Sequence, residues 1–263
     1  MSGSYSGNSV FGILRTFIAA SVVFICLAFQ GTSAAERQTV VIFGASGKIG
    51  GIIVVEALER GHKVVGISRN PAKLSVDNPN FSAAKGDVTD VESFKSVTQG
   101  ADSVVISVQG NGEGNLPENS VHARAAKVAT DALAQMKNAP YVIQVGGATT
   151  MLGGKEEMLK GLPFPAPEGS EMYGMFFGHL EALNTYRASD VDWTVITPPM
   201  NIEGWSPQGI TNINRTGTYR TSTTELVKDA AGKNRVNVAD LAVAVVDELE
   251  KRHFVRQRFT VGY

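Results

Sequence analysis

The chain has 263 residues, of which 43% are hydrophobic and 19% are charged. This length and composition allow one sizeable globular domain or two small ones, and they exclude a disordered, collagen-like or wholly membrane-embedded chain. The 24 basic and 25 acidic residues nearly balance, so the charge gives no electrostatic case for nucleic-acid binding.

The chain opens with an apolar leader. Residues 17–29 form a 13-residue apolar run, Arg15 precedes it, and small residues follow at 31–35. This pattern predicts a secretory signal cleaved near Ala34 or Ala35, with residues 1–35 as leader and 36–263 as one mature domain. The run is short of the roughly 20 apolar residues of a spanning helix. An uncleaved anchor that tethers the protein to a membrane and an organellar presequence are the alternatives.

Cysteine and histidine usage limits the chemistry. Cys26 is the single cysteine and lies in the leader, so a mature chain would have neither disulfides nor thiolate metal sites. The four histidines lack the i, i+4 pairing of a helical zinc site, and no metal site is predicted.

After the leader, strand and helix patterns alternate. The predicted strands are 39–43, 63–68, 81–88, 101–108, 141–145 and 193–197, and the predicted helices are 49–60, 91–98, 120–136, 171–189 and 238–252. Each strand is a near-continuous apolar run, which is typical of a parallel sheet covered on both faces. Two irregular segments, 146–170 and 201–232, are predicted to be functional loops, and 258–262 is predicted to be an edge strand.

A glycine-rich turn joins the first strand to the first helix. Its residues are Gly44, Ala45, Ser46, Gly47, Lys48, Ile49 and Gly50. Glycines allow a sharp turn and close approach to a pyrophosphate, which then lies on the free N–H groups of the helix N-terminus. The flanking strand and helix therefore predict a dinucleotide site. Lys48 is either a second positive charge near the phosphates or an exposed helix residue.

The end of the second strand indicates which cofactor binds. An acidic residue there would bind a free ribose 2′-hydroxyl, but the residues are Ser68, Arg69 and Asn70. An arginine suits a 2′-phosphate, so NADP(H) is favoured over NAD(H). The alternative is that Arg69 is a solvated loop residue.

The ends of the later strands supply further candidates. Asp87 and Val88 follow the third strand, where adenine would lie, although Asp87 is equally suited to cap the next helix. Ser107 and Gly146 end the fourth and fifth strands, which places them around the ribose and nicotinamide.

Five stretches of the chain resemble a known family. They are VVIFGASGKIG, GISRNPAKL, GDVTD, HLEALNTYRASDVDWTVITPPMN and RVNVADLAVAVVDELEKRHFVRQRFTVGY. They are similar to the atypical short-chain dehydrogenase/reductases, in particular the NAD(P)H-binding, NmrA-like group that includes flavin reductase/biliverdin-IXβ reductase. The resemblance covers about residues 39–263. It implies an α/β, Rossmann-type doubly wound parallel sheet, a three-layer αβα domain, with a small C-terminal substrate lobe.

The resemblance also implies site residues and shows one departure. Carbonyl reductases of the larger family use a Tyr-x-x-x-Lys pair, whereas Tyr173 and Tyr186 are followed four residues later by Phe177 and Asp190. His179 lies where the flavin reductase group carries a histidine, so it either donates to substrate or is a packed helix residue. Pro198 is placed beside the nicotinamide by the same resemblance, with a rigid turn as the alternative.

Two classes of function follow. The first is an NADPH-dependent reductase that passes hydride to free flavin such as FMN, a quinone or a linear tetrapyrrole, since these acceptors delocalise charge and take a proton from water. The second is a non-catalytic, NADP(H)-sensing regulatory protein. A sugar-nucleotide epimerase is disfavoured because this chain lacks the tyrosine base that such an enzyme would use. An exported protein meets little nicotinamide cofactor, so the leader and the site disagree about the compartment.

Overall fold

A computed structural model describes residues 36–153, 155–162 and 165–263. The predicted leader, 1–35, therefore lies outside the described residues. In the part of the chain that is described, no helix is long and apolar enough to cross a membrane.

In the described part of the chain, ten strands form two sheets. Their bounds are β1 Thr39–Phe43, β2 Lys63–Ser68, β3 Phe81–Lys85, β4 Ser103–Ile106, β5 Tyr141–Val145, β6 Trp193–Thr197, β7 Asn201–Glu203, β8 Arg220–Ser222, β9 Arg235–Asn237 and β10 Gln257–Gly262. The main sheet has the order β3-β2-β1-β4-β5-β6-β10-β8, and β7 pairs with β9 separately. All neighbours in the main sheet are parallel except β8, which is antiparallel to β10.

Six α-helices lie within the described residues. They are α1 Lys48–Glu59, α2 Val91–Thr98, α3 Val121–Leu133, α4 Lys155–Gly161, α5 Glu171–Arg187 and α6 Val238–Lys251. Residues of α1 and α6 belong to one apolar cluster and residues of α2, α3 and α5 to another. The sheet separates the two clusters, which confirms the predicted Rossmann-type, three-layer fold.

The strand β1 shows why its sequence is apolar throughout. Val40 and Ile42 pack in the cluster with α1 and α6, while Val41 and Phe43 pack in the cluster on the opposite face. Successive side chains of a strand point to opposite faces, so both sets are buried only when helices cover both sides. Each such side chain contributes roughly 1.5–3 kcal/mol to folding.

The end of α1 follows from one glycine. Gly61 has φ +85°, its N–H donates to the carbonyl of Leu58, and the next N–H, of His62, donates to the carbonyl of Ala57. This is the Schellman arrangement, which favours glycine in the left-handed position. The chain thereby reverses directly into β2.

Two predictions about the C-terminal half are wrong. The last strand, β10, is not at the edge, because β6 lies on one side of it and β8 on the other. The two predicted loops are also partly regular: 146–170 contains α4 and 201–232 contains β7 and β8. These elements are three to seven residues long, too short for a periodic apolar pattern to develop.

Candidate cofactor and substrate site

The order of the main sheet creates a crevice at its carboxyl edge. The chain runs outward from β1 through β2 to β3 and then returns to β4 on the other side of β1. In such sheets, ligands bind outside the carboxyl ends of the strands at this switch point. Gly44 follows β1 and Ser107 follows β4, so the glycine-rich turn lies at this position.

Tight backbone contacts explain two of the three glycines. Gly44 has φ +79°, and a Cβ atom there would lie 2.0 Å from the carbonyl oxygen of Ser107. A Cβ on Gly50 would lie 2.2 Å from the carbonyl oxygen of Gly44. The N–H of Gly47 donates to this same Gly44 oxygen at 2.8 Å. Side chains at positions 44 and 50 are therefore incompatible with the turn.

The N-terminus of α1 has free donors at this crevice. Gly47 is its N-cap and provides no side-chain cap, and the first turn contains no acidic residue. The unpaired N–H groups and the positive end of the helix dipole suit a phosphate. Ser46 is exposed beside them, whereas Ala45 is buried and Ile49 packs against the core.

Lys48 contacts a second segment rather than projecting freely. Its ammonium donates to the carbonyl of Pro207, in the turn closed by Ser206 and Gly209. The lysine therefore joins the glycine-rich turn to the segment after β7.

The ends of β2 and β3 form a cationic cavity of about 320 Å³. Arg69, Lys85, Gly86, Asp87 and Ser93 line it. Ser68 pairs with Lys85 across the two strands, so the lysine stands beside the end of β2. Lys85 was not predicted from sequence, because the predicted strand 81–88 did not show which residue lies opposite Ser68.

Asp87 is held in its charged form. Its Oδ1 accepts from the backbone N–H and the hydroxyl of Thr89, both at 2.8 Å. These bonds, led by the backbone one, lower its pKa despite partial burial, and Arg69 assists. The alternative that Asp87 caps α2 is wrong, because Asp90 accepts from the N–H of Ser93 at 2.7 Å. Val88 is buried in the core cluster beneath α2 and α3.

The remaining predicted residues lie at neighbouring strand ends. Ser107 follows β4, Gly146 follows β5 and Pro198 follows β6. A Cβ on Gly146 would lie 2.7 Å from Cγ1 of Val195, so the turn after β5 is packed closely on β6. Pro198 is buried. The three positions share the edge where the ribose and nicotinamide are expected.

Two imidazoles lie next to this edge. His179 of α5 packs against Gly147, where an added Cβ would lie 2.7 Å from its Cδ2. The ring of His122, from α3, lies 3.7 Å from that of His179 between centroids, at 33°. Both nitrogens of His122 and Nδ1 of His179 are buried without a hydrogen-bond partner. His179 was predicted as a site residue from sequence, but its partner His122 was not.

The histidine pair is neutral. His122 is 2% exposed, and burial lowers its pKa to about 4. Burial, followed by the neighbouring His122, lowers the pKa of His179 well below its usual range. At neutral pH each ring therefore offers one N–H donor and one acceptor nitrogen and carries no charge.

Comparison with known proteins agrees with this geometry. A sequence profile described as NAD(P)H-binding matches residues 44–249. The uncharacterized protein YwnB of Bacillus subtilis (strain 168) is 30% identical over 236 residues, which are 84% of this chain and 96% of YwnB.

Three solved structures share the fold. One from Burkholderia pseudomallei, provisionally described as an exported protein, is 29% identical with a TM-score of 0.67 and covers 86% of this chain and 100% of its own. One from Bacteroides thetaiotaomicron, provisionally described as an epimerase, is 27% identical with a TM-score of 0.66. It covers 87% of this chain and 98% of its own. One from Streptococcus pneumoniae, provisionally described as an NADH-flavin reductase, is 24% identical with a TM-score of 0.67. It covers 86% of this chain and 99% of its own, and at this identity it shows the fold alone. The matched profile spans the glycine-rich turn and all six strand ends of the crevice, and the chain belongs to the NAD(P)H-binding family.

Proposed function

We propose that the protein is an NADPH-dependent reductase that passes hydride to a conjugated acceptor, namely a flavin, a quinone or a linear tetrapyrrole. The observation that carries the proposal is the pair of neutral imidazoles beside Gly147, next to the strand ends where nicotinamide would lie. Uncharged groups suit an acceptor that spreads the hydride charge over its own π-system.

The preference for NADPH rests on the cavity at the end of β2. Arg69 and Lys85 bring two positive charges there, and the acid that would bind a free 2′-hydroxyl is missing from 68–70. The single carboxylate in the cavity wall, Asp87, already accepts two bonds from Thr89. Two cations beside one satisfied carboxylate favour a phosphate dianion.

Both tyrosines of α5 are engaged by other residues of the protein. Tyr186 is fully buried, and its hydroxyl donates to Oε1 of Gln144 at 2.9 Å. Tyr173 does meet a lysine, since the ammonium of Lys155 lies 5.0 Å from its ring centroid. It precedes His179 by six residues, or roughly 9 Å along the helix, and it packs with Met158 in a separate apolar cluster. This placement supports an acceptor that needs no alkoxide protonation.

Rapid mixing of the protein with NADPH and an acceptor tests the proposal. We expect NADPH oxidation, followed by absorbance, to exceed the buffer rate with FMN or with at least one quinone. Cofactor binding without oxidation by any acceptor would contradict the reductase and support the NADP(H)-sensing alternative.

A second experiment, on cofactor binding, tests the preference for NADPH. Lys85→Ala should weaken NADPH binding more than NADH binding. The matched control is Lys73→Ala, since Lys73 is also exposed but lies on the short turn after β2 and outside the cavity wall. Equal losses for both cofactors in Lys85→Ala would contradict the 2′-phosphate argument.

A further inference from the structure

An arginine of β10 lies on the acceptor side of the sheet. Arg258 pairs in register with Val195 of β6. Its neighbour Phe259 packs in the cluster with α1 and α6. Since side chains alternate along a strand, Arg258 extends from the opposite face, where α5 lies.

The guanidinium of Arg258 is only partly satisfied. Nη1 donates to the carbonyl of Thr150, and Nη2 donates to the carbonyl of Thr223 at 3.3 Å. Nε is buried without a partner. The side chain has five N–H donors, so three remain unassigned. Within residues 36–153, 155–162 and 165–263, no carboxylate forms an ion pair with it.

Burial and one neighbouring cation both disfavour the charge of Arg258. Burial lowers the pKa of Arg258, and the charge of Arg187 lowers it further. A half-buried guanidinium without a counter-ion is unfavourable in the folded protein. A guanidinium presents its N–H groups in a planar fork that matches the two oxygens of a carboxylate or phosphate.

The contacts of Arg258 connect it to the proposed acceptor site. Thr150 Oγ1 lies 3.4 Å from Thr197 Oγ1, and Thr197 immediately precedes Pro198. Thr150 also donates to the carbonyl of Gly147, the residue that packs against His179. Two nearby hydroxyls, those of Thr149 and Thr260, are buried without partners. The cation thus lies beside a polar, incompletely bonded part of the crevice.

We propose that Arg258 binds an anionic group of the acceptor, which is therefore a conjugated molecule that carries a phosphate or a carboxylate. The inference rests on the proposed reductase function, but it concerns binding and is tested without turnover. Arg258 acts as a binding and specificity residue, and the imidazole of His179 lies beside Gly147 at the same edge of the sheet.

Two matched ligand pairs test this assignment and distinguish phosphate from carboxylate. FMN and riboflavin share the isoalloxazine ring and differ in the phosphate, and biliverdin and its dimethyl ester differ in two carboxylates. Dissociation constants are measured by fluorescence or absorbance titration of protein saturated with NADP⁺, so that the nucleotide site is occupied. We expect the anionic member of at least one pair to bind about tenfold or more tightly than the neutral member.

Variants assign the preference to one side chain. Arg258→Gln should reduce the affinity for the anionic ligand to that for the neutral one, whereas Arg258→Lys should retain part of the difference. Arg256→Gln is the control, because Arg256 is exposed and already bonds Asp192. Unchanged NADP⁺ binding shows that each variant is folded.

The outcomes are decisive even if Arg258→Gln fails to fold. Wild-type protein that binds neither pair, or that binds both members of each pair equally, overturns the proposal. A preference for the anionic ligand that survives Arg258→Gln also overturns it. Absence of NADPH oxidation together with an Arg258-dependent preference would refute the reductase and leave the anion site intact.

Discussion

The histidine pair predicts a specific loss of stability in acid. The unfolded chain binds a proton at His122 near pH 6.5, while the folded chain does so only near pH 4. Between these values the unfolded state holds more protons. The contribution of His122 to the free energy of unfolding therefore falls as the pH falls through this window, and it is constant above and below it. At 1.36 kcal/mol per pKa unit, the folded state loses about 3 kcal/mol between pH 6.5 and 4. Because His122 is only 2% exposed, screening by solvent reduces this free-energy loss very little.

Replacement by an aromatic ring without nitrogens isolates this contribution. His122→Phe retains ring packing against His179 but cannot bind a proton. The free energy of unfolding is measured in urea at several pH values for wild type and variant, with the buried Trp193 as fluorescent probe. We expect the difference between them to change by about 3 kcal/mol from pH 6.5 to 4, in favour of the variant at low pH.

A matched control is available at an exposed position. His253 is exposed, so His253→Phe should follow wild type in its pH dependence. If His122→Phe and wild type lose stability in parallel from pH 6.5 to 4, burial of a neutral His122 is wrong.

Four other predictions concern the site and the leader. Arg69→Ala should raise the Kd for NADPH about 10- to 100-fold and that for NADH much less, as measured by fluorescence titration; equal changes would contradict its role. Gly50→Ala should abolish cofactor binding in calorimetry, because its Cβ would lie 2.2 Å from the Gly44 oxygen; binding at wild-type affinity would refute the constraint. Tyr173→Phe should leave NADPH oxidation by a flavin or quinone within about threefold of wild type, whereas a hundredfold loss would indicate phenol-assisted protonation. N-terminal sequencing of the mature protein should begin after Ala34 or Ala35, and an intact N-terminus would favour an anchor.

The glycine-rich turn and its place between β1 and α1 could be predicted from sequence, because they depend on local features. A β-branched strand, a glycine-rich turn and an amphipathic helix follow one another within residues 39–60, and together they place free N–H groups at a strand end. The same locality explains why the ends of most strands were predicted within two residues. Lys85 was missed because its position depends on the pairing of β3 with β2, a contact between separate elements.

The C-terminal part shows a second limit. The strand β8, with the sequence RTS, has no apolar alternation, so nothing in it indicates that it covers the outer side of β10. An apolar segment near the end of a chain resembles an edge strand when its partner has no detectable pattern. Recognition of β10 as an inner strand requires the three-dimensional pairing.

The two halves of the crevice are specified in different ways, and this determines what sequence can predict about function. The cofactor half consists of backbone N–H groups, which any chain with the right glycines provides at the same place. The proposed acceptor half consists of side chains from distant segments: His122 on α3, His179 on α5 and Arg258 on β10. Each looks like an ordinary helix or strand residue in its own segment. Packing brings the two rings together, and Thr150 and Gly147 connect them to Arg258, so the acceptor that we propose could not be predicted from any one segment.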